Sequence, residues 1–359
     1  MARGSIEAPP EADRYEDAPH PREAHALIGH AEAERALLDA YRANRLPQAI
    51  ILGGPGGIGK ATLAWRLTRF LLAHPDPAAA AVQSAENLFV PADHPVAHKL
   101  VALTHGDVFL LRREWNEKAK RPFTEIRADD VRDAIHMFQQ AAGAGGYRIC
   151  IVDSAEDLNR AGANALLKLI EEPPPRTLFL IIAHRPGLVL ATLRSRCRRL
   201  LLKSLTPAEI GAVIGTLGTP WSDIERDLVM EAAERAGGAV PAALRLLGGP
   251  GPELERRIRR LLADLPSVDW RAVHELADAV AGRDAAADYD MMMMTIVDWI
   301  DAILHREAGQ GAARLAPLAE VWEKAAAAAR ETEVLNLDKR PLILSIFADL
   351  ATAAKAFAA

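Results

Sequence analysis

Two cysteines in 359 residues, Cys150 and Cys197, are too few for a disulfide framework or a cysteine-based zinc site. Such sparing use fits a reducing cytosol. Aromatic residues are also scarce, at 5% of the chain, while alanine and leucine abound. The core is therefore expected to be helix on helix rather than sheet on sheet. Positive charge is not in excess: 43 Lys and Arg against 48 Asp and Glu leave a net charge of −5. This argues against a protein that holds nucleic acid by bulk charge, although it leaves room for a local basic patch. No apolar run approaches the roughly 18 residues of a membrane-spanning helix. The segment Met1–Ala24 is charged and proline-bearing, without the apolar stretch of a signal peptide or anchor. A soluble, cytoplasmic protein with no membrane partner is expected.

The length suits two or three domains, and 50% apolar with 25% charged residues excludes a wholly disordered or fibrous chain. Residues 1–24, rich in Glu, Asp, Pro and Arg, read as a disordered tail. A helical pattern follows over Glu32–Arg45. The apolar run Ala49–Leu52 then leads into a glycine cluster, and Lys60–Ala73 has helical spacing of Leu63, Leu67, Phe70 and Leu71. Strand, glycine loop and helix open a nucleotide-binding α/β unit. Further on, a strand is expected near Val108–Leu111, a helix at Ala128–Ala142, buried strands at Tyr147–Asp153 and Thr177–Ala183, and a helix at Asn164–Glu172. Near residue 204 the strands stop. Thr206-Pro207-Ala208-Glu209 and Ser222-Asp223-Ile224-Glu225 both read as capping boxes that start helices. Gly248–Pro252 is a breaker run, and helices are expected at Leu254–Leu265, Trp270–Ala281, Met291–Arg306, Pro317–Arg330 and Leu342–Phe357. The run Met291–Met294 reads as apolar filler in a helix core.

The chemistry concentrates in Gly54-Pro55-Gly56-Gly57-Ile58-Gly59-Lys60-Ala61-Thr62, which matches the phosphate loop through Gly-x4-Gly-Lys. Glycines let the backbone wrap so that its N–H groups point inward, and the following helix adds its positive end. Lys60 would reach the outer phosphates. The next position should carry a hydroxyl to ligate magnesium, but Ala61 offers a methyl group. Thr62 lies about 100° further round the helix and is expected to point elsewhere. Asp153, at the end of an apolar strand, stands where a magnesium-orienting carboxylate belongs. Ser154 follows it where a hydrolysing enzyme of this class would place a glutamate, and Glu156 reads as a solvated acid facing away.

From Leu27-Ile28-Gly29-His30 to Ser195-Arg196-Cys197 the chain resembles the clamp-loader branch of the AAA+ ATPases. The most specific matches are Asn164-Ala165-Leu166-Leu167-Lys168-Leu169-Ile170-Glu171-Glu172-Pro173 and Thr192-Leu193-Arg194-Ser195-Arg196-Cys197. Within that branch it is most similar to the delta prime family of bacterial DNA polymerase III. The likeness covers roughly residues 25–250 and continues weakly through Asn336-Leu337-Asp338. It implies an AAA+ P-loop NTPase core with a parallel sheet over 25–203, a small helical lid over 204–250 and an all-α collar over 251–359 that joins subunits. It further implies a ring with delta and gamma/tau subunits that opens the sliding clamp and places it on primed DNA. Ser-Arg-Cys is that family's trans-acting arginine motif, so Arg196 maps onto the cation that reaches a neighbour's nucleotide. A guanidinium is permanently charged and forked, which suits charge spread over a transferring phosphoryl group. Asn164 and Lys168, one helical turn apart, read as interface or packing residues.

Departures from the pattern shape the functional expectation. No cysteine lies between residues 74 and 127, and His74, His94, His98 and His105 lack zinc spacing, so no zinc is expected. Pro241 stands where active relatives place a phosphate-sensing arginine, and Ala183 and His184 stand where Ser, Thr or Asn is usual. Together with Ala61 and Ser154, this predicts weak binding of ATP or ADP and little hydrolysis by the chain alone. The alternative is a catalytically competent AAA+ ATPase of gamma/tau or branch-migration type, whose marks would be a hydroxyl at position 61 and a glutamate at 154. A small-molecule P-loop kinase would need neither the long helical C-terminus nor Ser-Arg-Cys. With its net negative charge, the monomer is expected to bind DNA weakly, by a few phosphate contacts.

Overall fold

Strands that are apolar at every position can be buried on both faces only in a sheet covered twice. The computed structural model has that arrangement. It describes residues 11, 14–15, 18–118, 121–139, 146–187, 189–248, 251–282, 285–306, 320–321, 324–325, 328–329, 332 and 337–358. The strands are β1 (Ala49–Gly53), β2 (Val108–Arg112), β3 (Trp115–Asn116), β4 (Arg121–Pro122), β5 (Arg148–Asp153), β6 (Thr177–Ala183) and β7 (Arg198–Leu201). Five of them form a parallel sheet in the order β2-β5-β6-β1-β7, and β3 pairs antiparallel with β4. Ile51 of β1 aligns with Ile181 of β6, and Ile151 of β5 with Leu180. The chain has the AAA+ fold that the resemblance implies.

Helices α1 (Ala31–Arg42), α2 (Lys60–Ala73), α3 (Ala80–Gln83), α4 (Pro95–Val101), α5 (Ala128–Gln139), α6 (Arg160–Glu171), α7 (Ala191–Arg196), α8 (Pro207–Gly215), α9 (Arg226–Arg235) and α10 (Val240–Gly248) follow in chain order. Side-chain alternation divides the core in two. Ile50, Leu52, Ile149, Ile151, Leu178 and Leu180 meet Leu38 and Tyr41 of α1 and Leu63, Leu67 and Phe70 of α2. Ile51, Cys150, Val152, Phe179 and Ile181 point the other way, onto Val131 and Phe138 of α5 and Leu166 and Leu169 of α6. Only Leu200 and Leu201 of β7 are apolar, too short a run to announce a strand. Arg198 and Arg199 interrupt the pattern, and an edge strand tolerates them because one side of it is open.

Local signals held or failed for identifiable reasons. Thr206 forms the full capping box with Glu209 and starts α8 under Pro207. Ser222–Glu225 does not: Trp221–Asp223 is a 3₁₀ turn, and α9 starts at Arg226 without a side-chain cap, because Trp221 is buried and pulls the segment inward. α6 starts four residues earlier than Asn164, where Asn159 Oδ1 accepts from the Gly162 N–H at 2.7 Å.

The largest departure is at the N-terminus. Residues 18–24, expected in a disordered tail, are pinned to α2. Ala18, His20 and Arg22 are buried. Arg69 donates to the carbonyls of Arg22 (2.6 Å) and Ala24 (3.2 Å), and Arg66 to that of His25 (2.5 Å). Arg22 reaches the Val101 carbonyl at 3.0 Å and Glu11 at 3.0 Å, and Arg112 also binds Glu11 at 2.8 Å. Composition alone reads this segment as solvated, but buried guanidinium groups satisfy its backbone.

The chain divides by its contacts into residues Met1–Leu244 and Arg245–Ala359. The second unit is helical in its described residues: α11 (Gly251–Ala263), α12 (Trp270–Val280), α13 (Ala286–Arg306) and α14 (Lys339–Ala358). Ile258, Leu262, Val273, Leu276, Ile296, Ile343, Phe347 and Leu350 form its core. Met292 is fully buried among them while Met294 is exposed, so the methionine run fills a helix core on one side only. Most of Pro317–Arg330, as well as Asn336, Gly249 and Pro250, lies outside the described residues. Among the described residues no helix is long and apolar enough to cross a membrane.

The pinned strap makes a direct prediction. Arg69→Met should leave the carbonyls of Arg22 and Ala24 without donors and lower stability by about 1–3 kcal/mol. Limited trypsin digestion should then cut after Arg22 faster than in the parent. Unchanged cleavage would show that the strap is held by other means.

Candidate functional site

A parallel sheet exposes its strand carboxyl ends together, and the polar chemistry of this chain gathers there. Between β1 and α2 the loop turns at Gly54, Gly57 and Gly59, all with positive φ. Gly57 is required twice over. Its φ is +72°, and a Cβ there would lie 2.4 Å from Pro241 Cδ. Val240, at the start of α10, donates its N–H to the Gly57 carbonyl at 3.0 Å, so the start of α10 rests directly on the loop. On the other flank His30 Nε2 donates to the Ile58 carbonyl at 2.6 Å.

Lys60 is only 3% exposed. Its ammonium turns back into the loop, donating to the Gly54 carbonyl at 2.7 Å and to the Pro55 carbonyl. Burial pulls its pKa down to about 8, against the upward pull of Asp153 and Glu156. The loop therefore has a cation at its centre, partly desolvated and bonded to neutral carbonyls.

A cavity of about 430 Å³ opens beside it, within the first unit. Its lining combines apolar Leu27, Ile28, Val213, Leu217 and Leu244 with Gly57 to Thr62, Asp153, Ser154, Asp157 and His184. Gly54, Pro55 and Gly56 lie upstream in the same loop, Gly54 and Pro55 touching Lys60 through their carbonyls. Pro241 lines the cavity and brings no charge. Ala183 is buried at the end of β6 and His184 takes its place on the wall. Thr62 lines the cavity alongside Ala61, which corrects the expectation that helical rotation carries it away. On the first turn, where no preceding turn covers the helix, both positions reach the opening.

Asp153 ends β5 at this wall, and Ser154 is buried beside it with its hydroxyl bonded to Asp157. Glu156 is not a free solvated acid. Its carboxylate accepts from the backbone N–H of Arg185 and braces the turn after β6. Sequence reasoning missed Asp157 and Arg113, which pair at 3.1 Å on the cavity wall. Burial pushes the Asp157 carboxyl up while Arg113 pulls it down. Two residues 44 positions apart gave no local signal. Tyr15 and the strap residues Ala18, Pro19, Pro21 and Ala24 complete the wall, and Tyr15 also stands against Trp221, with ring centroids 6.5 Å apart. Among the described residues no three His, Cys, Asp or Glu side chains stand close enough to hold a metal ion.

Arg196 is elsewhere. It ends α7, outside the cavity lining, with its side chain 43% exposed and paired to Glu171. Asn164 and Lys168 are exposed on α6, so they serve a surface and not the core.

Residues 29–206 match the family model described as DNA polymerase III, delta subunit. The delta prime subunit of Pseudomonas aeruginosa is 38% identical over 149 residues, 42% of this chain and 41% of that one. The delta prime subunit of Escherichia coli K12 is 30% identical over 259 residues, 68% of this chain and 69% of that one. The gamma/tau subunit of Mycobacterium tuberculosis H37Rv is 29% identical over 272 residues, 73% of this chain and 43% of that one. The chain thus spans less than half the length of two of these three relatives.

Lys60 sets a test by titration. Its folded pKa, about 8, lies below the ordinary lysine value of 10.5, so between those values the unfolded chain binds more protons. Stability should therefore rise with pH across that interval. Relative to Lys60→Met, the parent should gain of order 2–3 kcal/mol from pH 7.5 to 10.5, read by urea unfolding. A constant difference between the two proteins would mean that the ammonium is not desolvated.

Proposed function

Because the chain belongs to the bacterial DNA polymerase III delta prime family, we propose that it is a largely structural AAA+ subunit of a clamp loader. In this reading it joins delta and gamma/tau subunits in the cytoplasm, and the assembled ring loads a sliding clamp on primed DNA. The helices of residues 251–359 would supply the subunit contacts, as an amphipathic bundle whose apolar faces need partners. The chain's own contribution to ATP hydrolysis is Arg196, offered to a neighbouring subunit's site.

One observation carries the reading: the two functional cations face different ways. Lys60 is turned into its own loop, whereas Arg196 is exposed and takes no part in the chain's own cavity. A cation that stabilises phosphoryl transfer must stand where charge develops. The exposure of Arg196 outside the cavity supports a role at a site beyond this chain.

The cavity fits a nucleotide as a weak ligand. Its volume is within the usual range for small-molecule sites, and its lining combines apolar side chains with a glycine loop suited to phosphates. Lys60 and the loop N–H groups would hold phosphates, and Asp153 and Thr62 would face an accompanying magnesium ion. A bound triphosphate would supply the scissile phosphoryl group. The residues needed to cut it are lacking: Ala61 has no hydroxyl, Ser154 is no general base, and Pro241 adds no cation. Lys60 would also have to leave the Gly54 and Pro55 carbonyls.

The competing reading is a competent ATPase of gamma/tau or branch-migration type. It draws support from the presence of Thr62 on the cavity wall. The two readings separate in a phosphate-release assay.

The isolated chain should show negligible steady-state ATP turnover. In the assembled loader, rapid-quench single-turnover hydrolysis with Arg196→Ala should lose one site's share of the fast product burst, since a trans arginine contributes about 10³–10⁵ in rate. Robust turnover by the chain alone, or an intact burst with Arg196→Ala, would overturn the proposal.

A further inference from the structure

Glu171 is the last residue of α6 and Arg196 the last of α7. Arg196 Nε lies 2.5 Å from Glu171 Oε1. Arg196 Nη1 donates to the Thr192 carbonyl at 3.3 Å and to Ser195 Oγ at 3.4 Å. Among the described residues nothing accepts from Nη2. The guanidinium fork is thus held by its Nε edge and one corner, and its remaining corner is uncommitted.

Stability does not explain the pair. Glu171 is 40% exposed and Arg196 43%, and ion pairs this open to water contribute little. Glu171 also occupies the last turn of a helix, where the macrodipole disfavours a carboxylate, and a second acid, Glu172, follows it. A carboxylate at so unfavourable a spot is accounted for by what it does to Arg196. Asn164, Lys168 and Glu171, spaced four and three apart, share one exposed face of α6. The arginine is therefore braced on a surface open to another protein.

We propose that Glu171 is the positioning residue for Arg196, holding its guanidinium aimed at phosphates bound by an adjacent subunit. This rests on the trans-acting reading of Arg196 given above. An unrestrained arginine at a surface samples many rotamers, and the ordering cost would fall on the reaction of the neighbouring site. Holding Nε against the Glu171 carboxylate meets that cost within the chain, before assembly, and leaves the outer corner of the fork for the transferring group. Glu171 itself touches no nucleotide in this arrangement. Its effect is on rate, not on affinity.

The experiment is rapid-quench hydrolysis by the assembled loader carrying Glu171→Gln, Glu171→Ala, Arg196→Ala, or Arg196→Ala combined with Glu171→Ala. Glu171→Ala should slow the fast phase of one site about tenfold, as misplacement of a reacting group does, without changing its ATP concentration dependence. Glu171→Gln keeps an acceptor oxygen for Nε and should fall between parent and alanine. Adding Glu171→Ala to Arg196→Ala should change nothing further. An unaltered rate with Glu171→Ala would overturn the inference, as would a faster one, since that would make Glu171 a restraint that must be released. Multiplying effects in the double variant would also overturn it. If Arg196→Ala itself leaves the burst intact, the trans-acting reading fails, and this inference fails with it for that separate reason.

Discussion

In a parallel sheet buried on both faces, polar groups can be accommodated only at the strand ends, and that constraint orders this molecule. β1, β5 and β6 are apolar throughout their central positions, so polar or conformationally free residues come at or just past their carboxyl ends: the glycine loop after Gly53, Asp153 and Ser154 after Val152, and His184 after Ala183. The carboxyl end of the sheet thereby collects a glycine loop, a carboxylate, a hydroxyl and an imidazole with no need for sequence proximity. β7, at the edge, escapes the rule, and its arginines are exposed.

Two cations within this framework have opposite fates. Lys60 is drawn in by the tight loop and bonded to carbonyls, so desolvation lowers its pKa to about 8. Arg196 stays in water on a short helix, with a carboxylate partner of similar exposure. Burial commits the Lys60 ammonium to loop carbonyls, while the Arg196 guanidinium remains on the surface.

The strap shows how composition misleads. Residues 18–24 carry the charge and proline that usually mean solvation, and no local pattern distinguishes them from a tail. They are ordered because Arg69, more than forty positions away on α2, donates to the carbonyls of Arg22 and Ala24, and Arg66 holds the adjoining His25 carbonyl. In the sequence those arginines look like the polar face of an amphipathic helix. Only their burial reveals them as backbone partners. The same blindness hid the Arg113–Asp157 pair, whose members belong to different loops.

Where order is dictated by neighbours in the chain, residues alone were sufficient. Lys60–Ala73 and Thr177–Ala183 follow from glycine punctuation and unbroken apolar runs, and the Thr206 capping box from a four-residue pattern. The missing hydroxyl at Ala61 and the missing acid at Ser154 are facts of residue type that no fold can alter. Tertiary contact decided the rest. It put Thr62 on the cavity wall, folded Lys60 into its own loop, converted Glu156 from a solvated acid into a brace for Arg185, and set Glu171 against Arg196. Each of these depends on where a side chain ends up relative to groups far away along the chain. That distance is created by packing, and a linear pattern carries no record of it.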